Sequence, residues 1–285
     1  MNEFPPLTID WGPWLSAVAV MALFYAWFGR RIRRSKSKST TFTREIIVVV
    51  VTGCIVWGAW TVVEFRERLC LTQCKNNVKW IAITAHRYHD EHHRFPSPSV
   101  VEGDGPPVSW RIDLMSYFDP EATSHFTEKF DRQRSWDDAA NLPFAQTRPG
   151  PYYCPSSGQP RDSQGRWHTA YAFPTGPGTL FPAEGPLSIR QITDGTSSTL
   201  LLVEACGRKI VWTEPRDVDV TELELRINAP GNESGTSNGL ISSYHAQAAH
   251  VALADGSIRF MSEDISPDVL RALTTADAGD PVNEF

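Results

Sequence analysis

The 285 residues, 41% of them hydrophobic, suffice to bury a core, yet the apolar side chains are unevenly spread and crowd into two uncharged blocks near the N-terminus. The formal net charge is −6, and setting aside the seven Lys and Arg and three Asp and Glu of the first 63 residues leaves 20 basic against 30 acidic side chains, a net of about −10. Such a surface repels phosphate backbones, which excludes nucleic acid as an expected partner.

In chain order, residues 1–10 are a short tail. The stretches "WGPWLSAVAVMALFYAWFG" (11–29) and "IIVVVVTGCIVWGAWTVV" (46–63) carry no charge, and each comes close to the roughly 20 residues that cross a bilayer. A cleavable signal peptide needs a basic start, whereas the tail holds Glu3 and Asp10 and no Lys or Arg. Between the two spans, residues 30–45 form a basic loop with Arg30, Arg31, Arg33, Arg34, Lys36, Lys38 and Arg44. The positive-inside rule keeps that loop in the cytoplasm. The expected topology is therefore multi-pass in the cytoplasmic (inner) membrane, with both ends outside and everything after Val63 an extracytoplasmic, periplasmic ectodomain. The lipid bilayer is then an expected partner.

Beyond the second span, Cys74, Val78, Ile81, Ala85 and Tyr88 recur at spacings of 4, 3, 4 and 3, one buried stripe of an α-helix. Nothing breaks the helix before Phe95-Pro96, where the proline ring removes a donor and disfavours helical geometry in the preceding residue. Residues 64–95 thus extend the second span. Four of the eight histidines lie in "AHRYHDEHHRFP" (85–96). His86, His89 and His93 follow the edge of the apolar stripe, with Asp90 close by. Ligands spread over two turns are too far apart to meet one ion, so the row is expected to be structural, with no metal bound there.

Residues 96–285 read as a β-rich ectodomain. In "HVALADGSIRFM", Val251, Leu253, Ile258 and Phe260 alternate around Asp255-Gly256, the signature of a type I′ hairpin. In "TDGTSSTLLLVEA", Asp194-Gly195 make a turn feeding a buried strand at Leu200–Val203. "SPDVLRAL" is a short helix capped by Ser266 with Pro267 first. Cys54 lies in a span, while Cys70, Cys74, Cys154 and Cys206 fall in a compartment that permits disulfides. Four cysteines allow three connectivities. A zinc reading of Cys70, Cys74 and Cys154 lacks a second short-spaced Cys or His pair to complete it.

A long membrane-rooted helix followed by a polar, strand-rich region is the plan of type IV pilins and pseudopilins. "QCKNNVKWIAITAHRYHDEHHRFP" (73–96) resembles the segment after the pilin-like helix in a bacterial family, abundant in planctomycetes, called domain of unknown function 1559. Its Cys-x-Asn-Asn-Leu-Lys-x-Ile-x-x-Ala-x-His-x-Tyr-His-Asp pattern is met at Cys74, Asn76, Asn77, Lys79, Ile81, His86, Tyr88, His89 and Asp90. The likeness continues through "SWRIDLMSYFDPE" (109–121), "SWDDAAN" (135–141), "YYCPSS" (152–157), "PTGPGTLFP" (174–182), "ITDGTSSTLLLVEA" (192–205) and "WTEPRDV" (212–218). It ends at His245, followed nine residues later by Asp255-Gly256, the His-x(9)-Asp-Gly signature of the family's C-terminal domain. Relatives begin with a prepilin signal and a single span. Here "TTFTREIIVVVV" has Thr41 in place of the cleavage-site glycine and Glu45 three residues after Phe42 rather than four, with an additional span upstream.

The resemblance implies an α+β, pilin- or pseudopilin-like fold, a long N-terminal helix packed on an antiparallel β-sheet ectodomain. It also implies a Cys74–Cys154 disulfide, since both lie in matching motifs, with Cys70 and Cys206 as a second pair. His245 and Asp255 beside Ser197 supply hydrolase residue types, but no Gly-x-Ser-x-Gly elbow, His-Glu-x-x-His motif or phosphate loop accompanies them. Neither catalytic residues nor a cofactor are expected. The expected role is that of a non-catalytic, membrane-anchored envelope protein acting through envelope or pilin-like protein partners, in a secretion or surface assembly. The second reading is an anchored solute or polysaccharide receptor, with Trp110, Trp136, Trp167 and Trp212 offered to a glycan. Core positions are expected for most of those tryptophans.

Overall fold

A computed structural model of the chain describes residues 39–101, 103–118, 128–158, 160–233, 236–245, 248–280 and 282, and the side chains from residue 48 onward. The expected first span and most of the basic loop lie outside the described residues. The chain divides into two compact units, residues 1–65 and 66–285.

Helix α1 runs from Ser39 to His92 without a break. Among the described residues it is the one helix long and apolar enough to cross a membrane, and the side chains of its apolar portion are not buried in the protein. Val50, Val51, Ile55, Val56 and Trp57 are all exposed.

In the second unit the helix changes character. Cys74, Val78, Ile81 and Ala85 are fully covered, as the 4-3-4 spacing predicts, and Ala82 and Thr84 join them. Tyr88 is partly covered. The helix stops at His92, and His93 turns into the left-handed region at φ 58° with its N–H on the His89 carbonyl. The break falls before Pro96, and His93 makes it.

The strands are β1 (Ser99–Val100), β2 (Val108–Ser109), β3 (Tyr171–Ala172), β4 (Pro174–Thr175), β5 (Leu200–Glu204), β6 (Val218–Asp219), β7 (Glu224–Ile227), β8 (Gly239–Ile241), β9 (Ala248–Leu253) and β10 (Ile258–Ser262). The main sheet is antiparallel, in the order β10-β9-β5-β3. Both its faces are covered. Leu201, Leu202 and Ala252 join the helix stripe in one core with Trp110, Tyr152, Phe173 and Phe181. Leu200, Val203, Val251 and Leu253 form a second core with Leu270 and Leu273. Burial on both faces explains the unbroken run Leu200–Val203, because a strand with no wet side needs no alternation. Each fully buried Leu or Val contributes about 1.5–3 kcal/mol of transfer free energy.

Several local expectations are refined. The segment "SWRIDLMSYF" forms helix α2 (Trp110–Phe118), α3 is Leu142–Ala145, and the pairs β4–β6 and β7–β8 are parallel, so the second unit mixes helices and parallel pairs with its antiparallel sheet. In the β9–β10 hairpin only Gly256 takes positive φ (82°), whereas a type I′ turn needs two such residues. The loop is instead closed by Gly256 N–H to Leu253 O and Leu253 N–H to Ser257 O, each 2.9 Å. In β10 the covered residue is Met261, and Phe260 is half exposed against His250. Helix α4 (Pro267–Thr274) starts as expected, with Ser266 Oγ accepting from Val269 N–H at 3.2 Å.

Candidate metal centre

Four elements distant in sequence converge at one place. Cys74 comes from the buried stripe of α1. Cys154 precedes a short 3-10 turn, Pro155–Ser157, whose Ser157 N–H and hydroxyl both donate to the Cys154 carbonyl. Cys206 follows β5, held by its own N–H on Ser242 O (2.8 Å) and by the Ser242 hydroxyl on its carbonyl (2.7 Å). His245 sits in the loop before β9, its N–H on the Ser243 hydroxyl. Asn77 ties helix to loop: one turn after Cys74, its Nδ2 donates to Tyr153 O at 2.8 Å.

The Cys74 and Cys154 sulfurs stand 3.0 Å apart, and His245 Nε2 is 3.9 Å from the Cys154 sulfur. The ligand atoms of Cys74, Cys154 and His245 all lie within 4.8 Å of one another, and all three residues are buried. Cys206, also buried, interacts with the Cys154 sulfur. Hydrogen bonds from Cys206 and Cys74 hold the Cys154 thiol far below its ordinary range; burial opposes this and His245 reinforces it. The same sharing, together with burial, pushes Cys74 and Cys206 well up. Burial draws the His245 imidazole down, but the hydrogen bond and charge of Cys154 and the negative charge of Glu204 carry it above its ordinary value. Within the cluster, negative charge is therefore favoured on Cys154, which the two neighbouring thiols and the imidazole surround.

Glu204 lies beside this cluster, fully buried with neither carboxylate oxygen hydrogen-bonded, its nearest counter-group being His250 Nδ1 at 3.6 Å. A cleft of about 200 Å³ opens onto Cys154 between His168, Lys209 and Tyr244.

The disulfides expected from the motifs are not formed. Cys74 and Cys154 are brought into contact as anticipated, but all five cysteines are free, and Cys206 joins Cys154 rather than Cys70. Three sulfurs share a space in which the motifs suggested two.

The other anticipated residues go elsewhere. His86 packs edge-on against Phe95 and engages the Ala254 carbonyl. His89 packs on Phe95 as well, and the Nε2 atoms of both histidines are buried without a hydrogen bond among the described residues. His86 and His89 are partly covered and only partly hydrogen-bonded, whereas His93 is exposed. Tyr88 makes tilted ring contacts with His92 and Tyr117, and Asp90 is exposed. Asp194 is a clamp for the C-terminal segment, accepting from Ala278 and Gly279 N–H at 2.8 Å each, and Gly195 beside it has φ 102°. Asp255 is exposed at the hairpin tip, where its carboxylate accepts from Ser257 N–H.

Of the four tryptophans, Trp110, Trp167 and Trp212 are buried, which removes them as glycan contacts. A buried ion pair escaped the sequence reading: Arg111 Nη2 meets Asp217 Oδ1 at 2.8 Å, and Asp217 also accepts from Trp110 Nε1 and Phe173 N–H. The signal was present in "SWRIDL" and "WTEPRDV", two motifs that each place charges beside apolar residues.

A family model described as protein of unknown function (DUF1559) matches residues 71–268, a span that includes all four converging residues. No curated protein and no solved structure matches the chain.

Proposed function

The chain belongs to the DUF1559 family of proteins of unknown function, and on that footing we propose that it is a pilin-like, non-catalytic protein of the cell envelope, anchored in the cytoplasmic membrane and acting through protein contacts. The observation that carries this reading is the two-part character of α1. Its first portion exposes Val50, Val51, Ile55, Val56 and Trp57, a surface that suits hydrocarbon and not water. Its second portion buries Cys74, Val78, Ile81 and Ala85 in the core of the second unit.

In this reading residues 11–29 are a second, upstream span, the basic loop is cytoplasmic, and the second unit is periplasmic. Trp80 and Ile83, exposed on the part of α1 that carries the buried stripe, serve as contact points for envelope or pilin-like partners. The receptor reading draws little support from the tryptophans, since the core has taken up Trp110, Trp167 and Trp212 and only Trp136 is partly open.

Topology and contact are tested together in full-length protein expressed in a Gram-negative host. Ser163→Cys should react with a membrane-impermeant maleimide once the outer membrane is opened, and Lys36→Cys only after the inner membrane is permeabilised. The reverse pattern overturns the topology. A photo-reactive residue at position 80 should give adducts with another envelope protein or a second copy of the chain. Absence of any protein adduct overturns the contact role.

A further inference from the structure

We propose that Cys74, Cys154, Cys206 and His245 form a structural zinc site that fastens α1 to the sheet domain. Three thiol groups and one imidazole are the donor set of closed, four-coordinate zinc sites, and no donor is left over for a bound water. The geometry is close to what the ion requires. Zinc–sulfur bonds of about 2.3 Å and zinc–nitrogen bonds of about 2.0–2.1 Å in a tetrahedron set donor separations of about 3.8 Å for two sulfurs and about 3.6 Å for sulfur and nitrogen. The observed separations are 3.0 Å for Cys74 to Cys154 and 3.9 Å for Cys154 to His245. Parting the first pair by less than 1 Å admits the ion to Cys74, Cys154 and His245, the three donors that lie within 4.8 Å of one another, and Cys206, whose thiol hydrogen-bonds the Cys154 sulfur, closes in as the fourth.

Two further observations favour a cation here. Glu204 is a fully buried carboxylate with no hydrogen bond to either oxygen, and its charge acts on Cys74, Cys206 and His245. A buried carboxylate among thiols is costly unless positive charge is supplied nearby. The cleft at Cys154 is the route by which an ion reaches the sulfurs from solvent. The anchoring is local. The Asn77 side chain holds the Cys154 loop at 2.8 Å through Tyr153 O, and the Tyr171 hydroxyl hydrogen-bonds the Cys74 sulfur, so the ligands are oriented by groups that do not touch the ion. On binding, the thiols still protonated release their protons to solvent, and no oxidant or reductant takes part.

A disulfide between Cys74 and Cys154 is the competing outcome, and it would use two of the three sulfurs and leave the imidazole without a role. The proposal does not depend on topology or partner contacts, because its readout is metal content. Full-length protein is purified in detergent without a histidine tag and without chelator, then analysed for metals and for free thiols. The expected result is close to one zinc per chain, with Cys74, Cys154 and Cys206 alkylated only after denaturation with chelator. Cobalt-exchanged protein should show thiolate charge-transfer bands and the visible bands of tetrahedral cobalt, a test that needs no variant to fold. His245→Gln and Cys206→Ser should lose at least tenfold in zinc affinity, whereas Cys70→Ser and His93→Gln should keep the ion. Metal at background level, with a Cys74–Cys154 disulfide in non-reducing peptide maps, overturns the proposal. Zinc that survives in both His245→Gln and Cys206→Ser but is lost in His93→Gln overturns it equally, by moving the site to the histidine row.

Discussion

Gly256 lies against the ring of His86: a Cβ built on the glycine would stand 3.3 Å from His86 Nε2. The two residues belong to the two ends of the matched region, the helix motif and the His-x(9)-Asp-Gly motif. The β9 segment that carries His245 towards Cys74 carries Gly256 towards His86, so helix and strand run in the same direction. Gly256→Ala should destabilise by about 1–3 kcal/mol, because an L residue at φ 82° is strained and its methyl group crowds the imidazole. His86→Ala alone should cost about 1–3 kcal/mol through lost packing on Phe95. In the double variant the two costs should fall short of their sum, as residues in contact do in a double-mutant cycle read by chemical denaturation.

The Arg111–Asp217 pair should be intolerant of half-replacement. Burial pushes the Asp217 carboxyl up, and only Arg111 and its hydrogen bonds from Phe173 and Trp110 hold it back. Asp217→Asn or Arg111→Met should each destabilise by about 3–5 kcal/mol, since each leaves an uncompensated buried group. Arg111→Lys should not rescue, because one ammonium cannot reach Tyr171 O, Ser109 Oγ and Asp217 together. Equilibrium unfolding of the three variants checks the order.

Acid should destabilise the second unit through its covered histidines. Burial holds His86, His89 and His168 below the ordinary imidazole value. A group depressed in the folded state contributes stability above its unfolded pKa and loses it as pH falls through that value towards the folded one. The loss should therefore begin near about pH 6.5 and grow as the solution becomes more acidic. His245, shifted upward, acts in the opposite sense, its contribution fading as pH rises. Thermal melts should show Tm falling between about pH 7 and about pH 5.5, with a shallower fall in His86→Gln. An unchanged slope in that variant would remove His86 from the account.

The helix stop offers a gain. His93 is exposed and holds φ 58° with a side chain that makes the conformation expensive. His93→Gly should raise stability by about 0.5–1 kcal/mol, as glycine occupies the left-handed region without strain. His92→Gly, one residue earlier and inside α1, should lower it by a similar amount, which separates a cap effect from a general one. Differential scanning calorimetry of both variants decides.

Local features were legible from sequence because local physics produces them. The run from Ile46 to Val63, the 4-3-4 spacing that buries Cys74, Val78, Ile81 and Ala85, the Ser266 cap and the turn at Gly256 each depend on residues within a few positions of one another. The order of motifs was enough to place the chain beside its family. What packing alone decided lies between segments far apart. Cys74 and Cys154 are 80 residues apart, Cys154 and His245 91, and Arg111 and Asp217 106. No spacing rule links such positions, because their proximity depends on strand order and on how the helix crosses the sheet. Cys206 shows the consequence most plainly. Reading the chain as a line pairs it with the leftover Cys70, whereas the end of β5 delivers it to the third side of Cys154, where three sulfurs and an imidazole converge.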